Sequence, residues 1–127
     1  MGVAALTAVL YGIKSCDTMK KARAWLDEHG VEYRFHDYKA SGIDRAHLAG
    51  WCSKLGWEIL LNRSGTTFRK LPKRDKNVTT AEAAIALMLA QPSMIKRPVL
   101  EAGAQLLVGF KPDIYAQAFR LSMRKGR

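Results

Sequence analysis

Cysteine is scarce: two of the 127 residues, Cys16 and Cys52, are too few for a disulfide framework, and together with His29, His36 and His47 they show no zinc-ligand spacing. Long apolar runs are also missing. The stretch from Val3 to Ile13 is too short to cross a bilayer. Its first positive charge, Lys14, follows it and no small-residue cleavage site comes after, so no signal peptide is expected. Leu6 stands where a myristoylation signal needs Ser or Thr, and no prenylation motif closes the chain. With 10 Gly and 4 Pro, the composition excludes collagen-like and low-complexity classes. The expectation is a cytoplasmic, reducing-compartment protein with no membrane association, no metal and no nucleotide.

Acidic residues are few, 11 against 21 Lys and Arg, for a net charge of +10. Residues 1 to 62 are nearly balanced, with eight basic and seven acidic side chains. The segment from Arg63 to Lys76 holds six basic groups against Asp75, and Arg120 to Arg127 adds four more with no acid. Such a field draws anionic small molecules, acidic proteins or nucleic acid, and a solvated loop with a frayed tail is the plain alternative. No aromatic interleaving or nucleic-acid motif marks an RNA surface, so nucleic acid is not the expected partner. At this length one core is expected: a single domain over residues 1–119 and a basic C-terminal tail over 120–127, acting as a monomer.

The periodicity predicts a buried strand over Ala8 to Ile13 and a helix over Asp17 to His29, with Met19, Ala22 and Leu26 on one stripe and Gly30 as the stop. Val31 to Asp37 reads as a second strand, parallel to the first. A helix opens at Asp44 and carries Leu48, Cys52 and Leu55 as a core stripe before Gly56. After the basic loop, a capping box of Thr79 and Glu82 precedes a helix over Ala83 to Ala90 that Pro92 terminates. Arg97 to Glu101 and Gln105 to Phe110 form a hairpin about an Ala102-Gly103 turn. A last helix runs from Asp113 to Leu121. The order is that of an α/β, thioredoxin-like fold: a four-stranded mixed sheet with a helical insertion between its βαβ and ββα halves.

Cys16 falls at the start of the first helix, where free N–H groups and the helix dipole favour an anion. An unperturbed thiol is about 3% ionised at pH 7, and one lowered to about pKa 6 is roughly 90% ionised, a change on the order of 3 kcal/mol. Lys14 adds positive charge two residues away. A small buried cysteine plugging the helix start is the competing reading. Trp25, Trp51 and Trp57 read as packing and the histidines as surface residues.

The run Tyr11-Gly-Ile-Lys-Ser-Cys16-Asp-Thr-Met-Lys-Lys-Ala22 resembles the active-site segment of the ArsC/Spx/YffB family, the glutaredoxin-linked arsenate reductases and their relatives, and is most similar to the YffB-like branch. Leu60-Leu-Asn-Arg63-Ser-Gly-Thr-Thr-Phe-Arg-Lys-Leu71 and Ile95-Lys-Arg97-Pro98-Val-Leu100 are further matches in the right order. The resemblance implies that Cys16 is the nucleophile and that Arg63 and Arg97 line an anion pocket, where a planar, permanently charged guanidinium binds an oxyanion or carboxylate through two donors. It implies that Pro98 matches a cis-proline whose neighbouring backbone pairs with a peptide-like substrate; a trans proline opening a strand is the alternative. Lys111 stands where arsenate reductases tend to carry a third arginine, which keeps the charge and loses the fork.

Met19 occupies the fourth position of the C-x-x-C switch of the Spx branch, the regulators that bind RNA polymerase, so that switch is absent. An external thiol must then finish a cycle. The expected function is a glutathione-dependent thiol–disulfide oxidoreductase acting on a small thiol, disulfide or oxyanion substrate, with glutaredoxin as a further partner. Arsenate reduction and a non-catalytic regulatory role are the alternatives.

Overall fold

The apolar run that opens the described chain forms β1 (Ala8–Gly12), and the amphipathic stretch after it forms α1 (Asp17–Glu28). The computed structural model describes residues 8–125, with side chains through Phe119. Residues 1–7 and 126–127, holding the start of the apolar N-terminal run and the end of the basic tail, lie outside the described residues. His29 caps α1 and Gly30 follows at φ +68°, the left-handed region where a missing Cβ removes the steric cost. β2 (Tyr33–Asp37) then runs parallel to β1, with Ala8 opposite Tyr33 and Gly12 opposite Asp37.

Contacts along the chain group into two compact units, one built from the residues up to Asp37 and those from Arg97 onward, the other from Tyr38–Lys96. The first unit is completed by β3 (Val99–Ala102), β4 (Gln105–Val108) and α8 (Pro112–Lys125). Its sheet order is β2-β1-β3-β4, with β1–β3 and β3–β4 antiparallel. This is the four-stranded mixed sheet of a thioredoxin-like fold. Ala8, Leu10, Leu100 and Ala102 turn one sheet face toward Met19, Ala22 and Leu26 of α1 and toward Tyr115 and Phe119 of α8, and all of them are buried. Burying large apolar side chains in this way supplies the main driving force for the unit.

The second unit is helical: α2 (Tyr38–Ser41), α3 (Arg45–Leu55), α4 (Trp57–Leu60), α5 (Thr66–Arg69), α6 (Lys73–Lys76) and α7 (Ala81–Ala90), followed by a 3-10 turn over Pro92–Met94. Asp44 caps α3 by accepting from the His47 N–H at 2.8 Å. Leu61 bridges Ile95, with the Asn62 N–H donating to Met94 and the Lys96 N–H to Leu60, both at 2.8 Å.

Several boundaries differ from the sequence reading. The cap of α7 is Thr80, whose Oγ1 accepts from the Ala83 N–H, not Thr79, because the first helical residue is Ala81 and a cap side chain reaches the N–H three residues on. The hairpin turns at Gly103-Ala104, since Ala102 pairs with Gln105. The basic loop winds into α5 and α6. Backbone of the expected tail continues α8 to Lys125. Cys52 is only half-buried; the buried residues of α3 are Leu48 and Trp51. Among the described residues no helix is long and apolar enough to cross a membrane.

Candidate active site

The polar turn from Ile13 to Cys16 joins the end of β1 to α1. The Cys16 N–H donates to the Ile13 carbonyl at 3.3 Å, and the Cys16 carbonyl accepts from Lys20 at 3.0 Å, so the backbone of Cys16 is fixed as the N-cap of a 12-residue helix. Its φ and ψ of −78° and 134° are the extended values of a cap, which leaves the first helical N–H groups facing its side chain.

That side chain is partly buried. Burial pushes the thiol pKa up, but the backbone N–H groups of Met19 and then Thr18, together with the hydrogen bond and charge of the Arg97 guanidinium, outweigh it and hold the pKa below the ordinary thiol value. The anion is the form these donors favour. Cys52 is the opposite case, its pKa raised by burial and by the nearby Glu58 carboxylate.

Of the other residues singled out from sequence, Arg97 and Pro98 share the first unit with Cys16. Arg97 is half-buried and Pro98 buried. The Arg97–Pro98 peptide is cis, and the Pro98 carbonyl already accepts from the Gly109 N–H at 2.8 Å. Lys14 is exposed in the turn before Cys16. Lys111 is exposed just before α8, its carbonyl accepting from Ile114 and Tyr115, both at 3.1 Å. A lysine there sets a cation at the positive end of a helix dipole, the reverse of the usual preference. Arg63 belongs to the second unit, where its guanidinium lies 5.0 Å from the centre of the Trp57 ring. Its assignment to an anion pocket rests on the motif alone.

The family model of the ArsC family matches residues 11–118. The chain belongs to the ArsC family. Among solved structures, the YffB protein is similar to this ArsC-family chain at 68% identity, covering 87% of it and 97% of that chain with a TM-score of 0.85. An arsenate reductase (ArsC) related protein from Brucella melitensis is 56% identical over 89% of this chain and 94% of its own, with a TM-score of 0.70. The global transcriptional regulator Spx of Streptococcus mutans is 30% identical over 78% of this chain and 73% of its own length. The fold is therefore the arsenate-reductase-like version of the thioredoxin-like architecture, and an arsenate reductase related protein and a transcriptional regulator stand among its kin.

Sequence reasoning placed Cys16 at the start of α1 and singled out Arg97, and missed the backbone donors of Thr18 and Met19 as named groups. The signal was present in the position of Cys16 at a helix start, where the second and third helical N–H groups are the ones a cap side chain reaches.

Proposed function

We propose that this chain is a glutathione-dependent thiol–disulfide oxidoreductase that uses Cys16 as its single nucleophile. The observation that carries the reading is a sulfur at the N-cap of α1, served by the Met19 and Thr18 N–H groups and by Arg97, so that its anion is favoured. The Cys16 thiolate attacks the glutathionyl sulfur of a mixed disulfide. A bond forms between Sγ and that sulfur, the original S–S bond breaks, and its electron pair leaves on the substrate thiolate. The thiolate of a second glutathione then attacks the adduct, releasing oxidised glutathione and returning the Cys16 thiolate.

Arg97, Lys111 and Lys14 supply positive charge for the glutathione carboxylates, and Arg97 is the one able to bind them through two parallel donors. Met19 stands where a resolving cysteine of a C-x-x-C pair would be and is fully buried, which supports resolution by an external thiol. Incubation with oxidised glutathione followed by peptide mapping in a mass spectrometer tests the reading. Cys16 gains one glutathionyl group and Cys16→Ser loses exchange activity; an unmodified Cys16 ends it.

Kinship with the Brucella arsenate reductase related protein favours a second reading. There the Cys16 thiolate displaces hydroxide from arsenate, which leaves as water once protonated; the glutathione thiolate then attacks the Cys16 sulfur, the S–As bond breaks with its electron pair leaving on arsenite, and glutaredoxin reduces the resulting Cys16–glutathione disulfide. Lys111 in place of a forked guanidinium weakens recognition of a tetrahedral oxyanion. A coupled assay without arsenate-dependent turnover disposes of this second reading.

A further inference from the structure

Gly12 is the last residue of β1, buried and tied to Asp37 in the parallel ladder. Its φ is outside the left-handed region, so its backbone would accept any residue without strain. What forbids a side chain is Met19. A Cβ on Gly12 would lie 2.7 Å from Met19 Cε, closer still to Sδ, and 3.2 Å from Cγ. Met19 has no exposed surface, so its flexible thioether can make room only by repacking within the core. The strand end cannot retreat, being paired with β2 on one side and followed on the other by the Ile13–Cys16 turn.

Met19 is also the third residue of α1, and its backbone N–H is one of the groups facing the Cys16 sulfur. Its N–H belongs to the first helical turn, while its side chain turns about bonds of its own within a closed core. Crowding that the packed core cannot absorb by turning the thioether is taken up by the helical turn and moves that N–H.

We propose that Gly12 is a positioning residue for the nucleophile: the space left by its missing side chain seats the Met19 thioether against the end of β1, and that seating holds the first turn of α1 beneath the Cys16 sulfur. The inference deepens the reading of Cys16 as a reactive thiolate and rests on it. It assigns Gly12 and Met19 as a complementary pair, small on the strand and large on the helix, whose job is the placement of N–H donors rather than contact with substrate. A hydrogen bond weakens steeply with distance and angle, so a displacement of several tenths of an ångström is enough to matter.

The test compares the pH profile of Cys16 alkylation by iodoacetamide in wild type, Gly12→Ala and Gly12→Ala/Met19→Ala, with circular dichroism as the check on folding. Gly12→Ala raises the apparent pKa by about half a unit to one unit, which slows alkylation below that pKa about three- to tenfold. The double variant loses the clash and the seat together, so Met19→Ala is measured alone as well, and adding Gly12→Ala to it moves the profile by less than about twofold. A folded Gly12→Ala protein with the wild-type profile, or a Gly12→Ala shift that is as large in the Met19→Ala background, overturns the proposal. Should Gly12→Ala fail to fold, Gly12→Ala/Met19→Leu retains partial crowding and is compared with Met19→Leu; a profile unmoved by the added methyl counts against the proposal and an upward shift supports it. An ordinary thiol titration in wild type defeats the functional reading itself, whereas a low wild-type value indifferent to Gly12→Ala defeats only this inference.

Discussion

Arg97 meets Cys16 through the pairing of β1 with β3. Val99, two residues after Arg97, is the register partner of Tyr11, and the chain leaves β1 at Gly12 to reach Cys16. The guanidinium thereby arrives beside a sulfur already held in the positive field at the start of α1, and both favour the thiolate.

Arg97→Met removes a hydrogen bond and a charge from that sulfur. Its Cys16 alkylation profile is expected to move to higher pH by about half a unit to one unit, with rates at low pH falling about three- to tenfold. Arg97→Lys recovers part of the loss, since a lysine keeps the charge without the fork. Stopped alkylation followed by mass spectrometry reads both.

The two cysteines should separate by reactivity. The Cys16 pKa is lowered and the Cys52 pKa raised by burial and by Glu58, so limited alkylation at pH 7 labels Cys16 first, by about tenfold or more. Equal labelling of the two in peptide maps contradicts the assignment of Cys16 as the activated thiol.

The same shift appears in stability. A folded pKa below the unfolded value means that the thiolate stabilises the fold: the contribution is complete above the unfolded pKa and is lost as pH falls through the folded one. In a Cys52→Ser background, which removes the opposing titration of Cys52, the stability advantage of Cys16 over Cys16→Ser is expected to grow as pH rises toward 9. Urea denaturation under reducing conditions at several pH values measures it; an advantage that shrinks with pH contradicts the sign.

Two substitutions locate the start of α7. Thr80→Ala removes the acceptor of the Ala83 N–H and is expected to cost about 1 kcal/mol, while Thr79→Ala, one residue before the cap, costs close to nothing. Denaturant midpoints distinguish them, and the reverse order would restore Thr79 as the cap.

Leu10 and Leu100 are paired on β1 and β3 and fully buried. Leu10→Ala is expected to destabilise the fold by about 2–5 kcal/mol through lost transfer energy and a residual cavity. A loss under 1 kcal/mol in urea denaturation would show that the central strand carries less of the core than its burial implies.

What the sequence determined by itself was everything set by local periodicity and local stereochemistry. The alternation of strand and helix, the stop at Gly30, the Asp44 cap and the place of Cys16 at a helix start all follow from residues within a turn or two of one another. Where local signals competed, as between Thr79 and Thr80, the pattern was one residue off, because either threonine can cap and packing of Ala84, Ile85 and Met88 selects the register. Cys52 fell on an apolar stripe yet stays half-exposed, since a stripe predicts a face and not its depth. Only the tertiary structure decided that Arg97 serves the sulfur and that Met19 needs a glycine beneath it. Both relations cross between elements, and strand pairing and side-chain packing, which no window along the chain contains, set their distances.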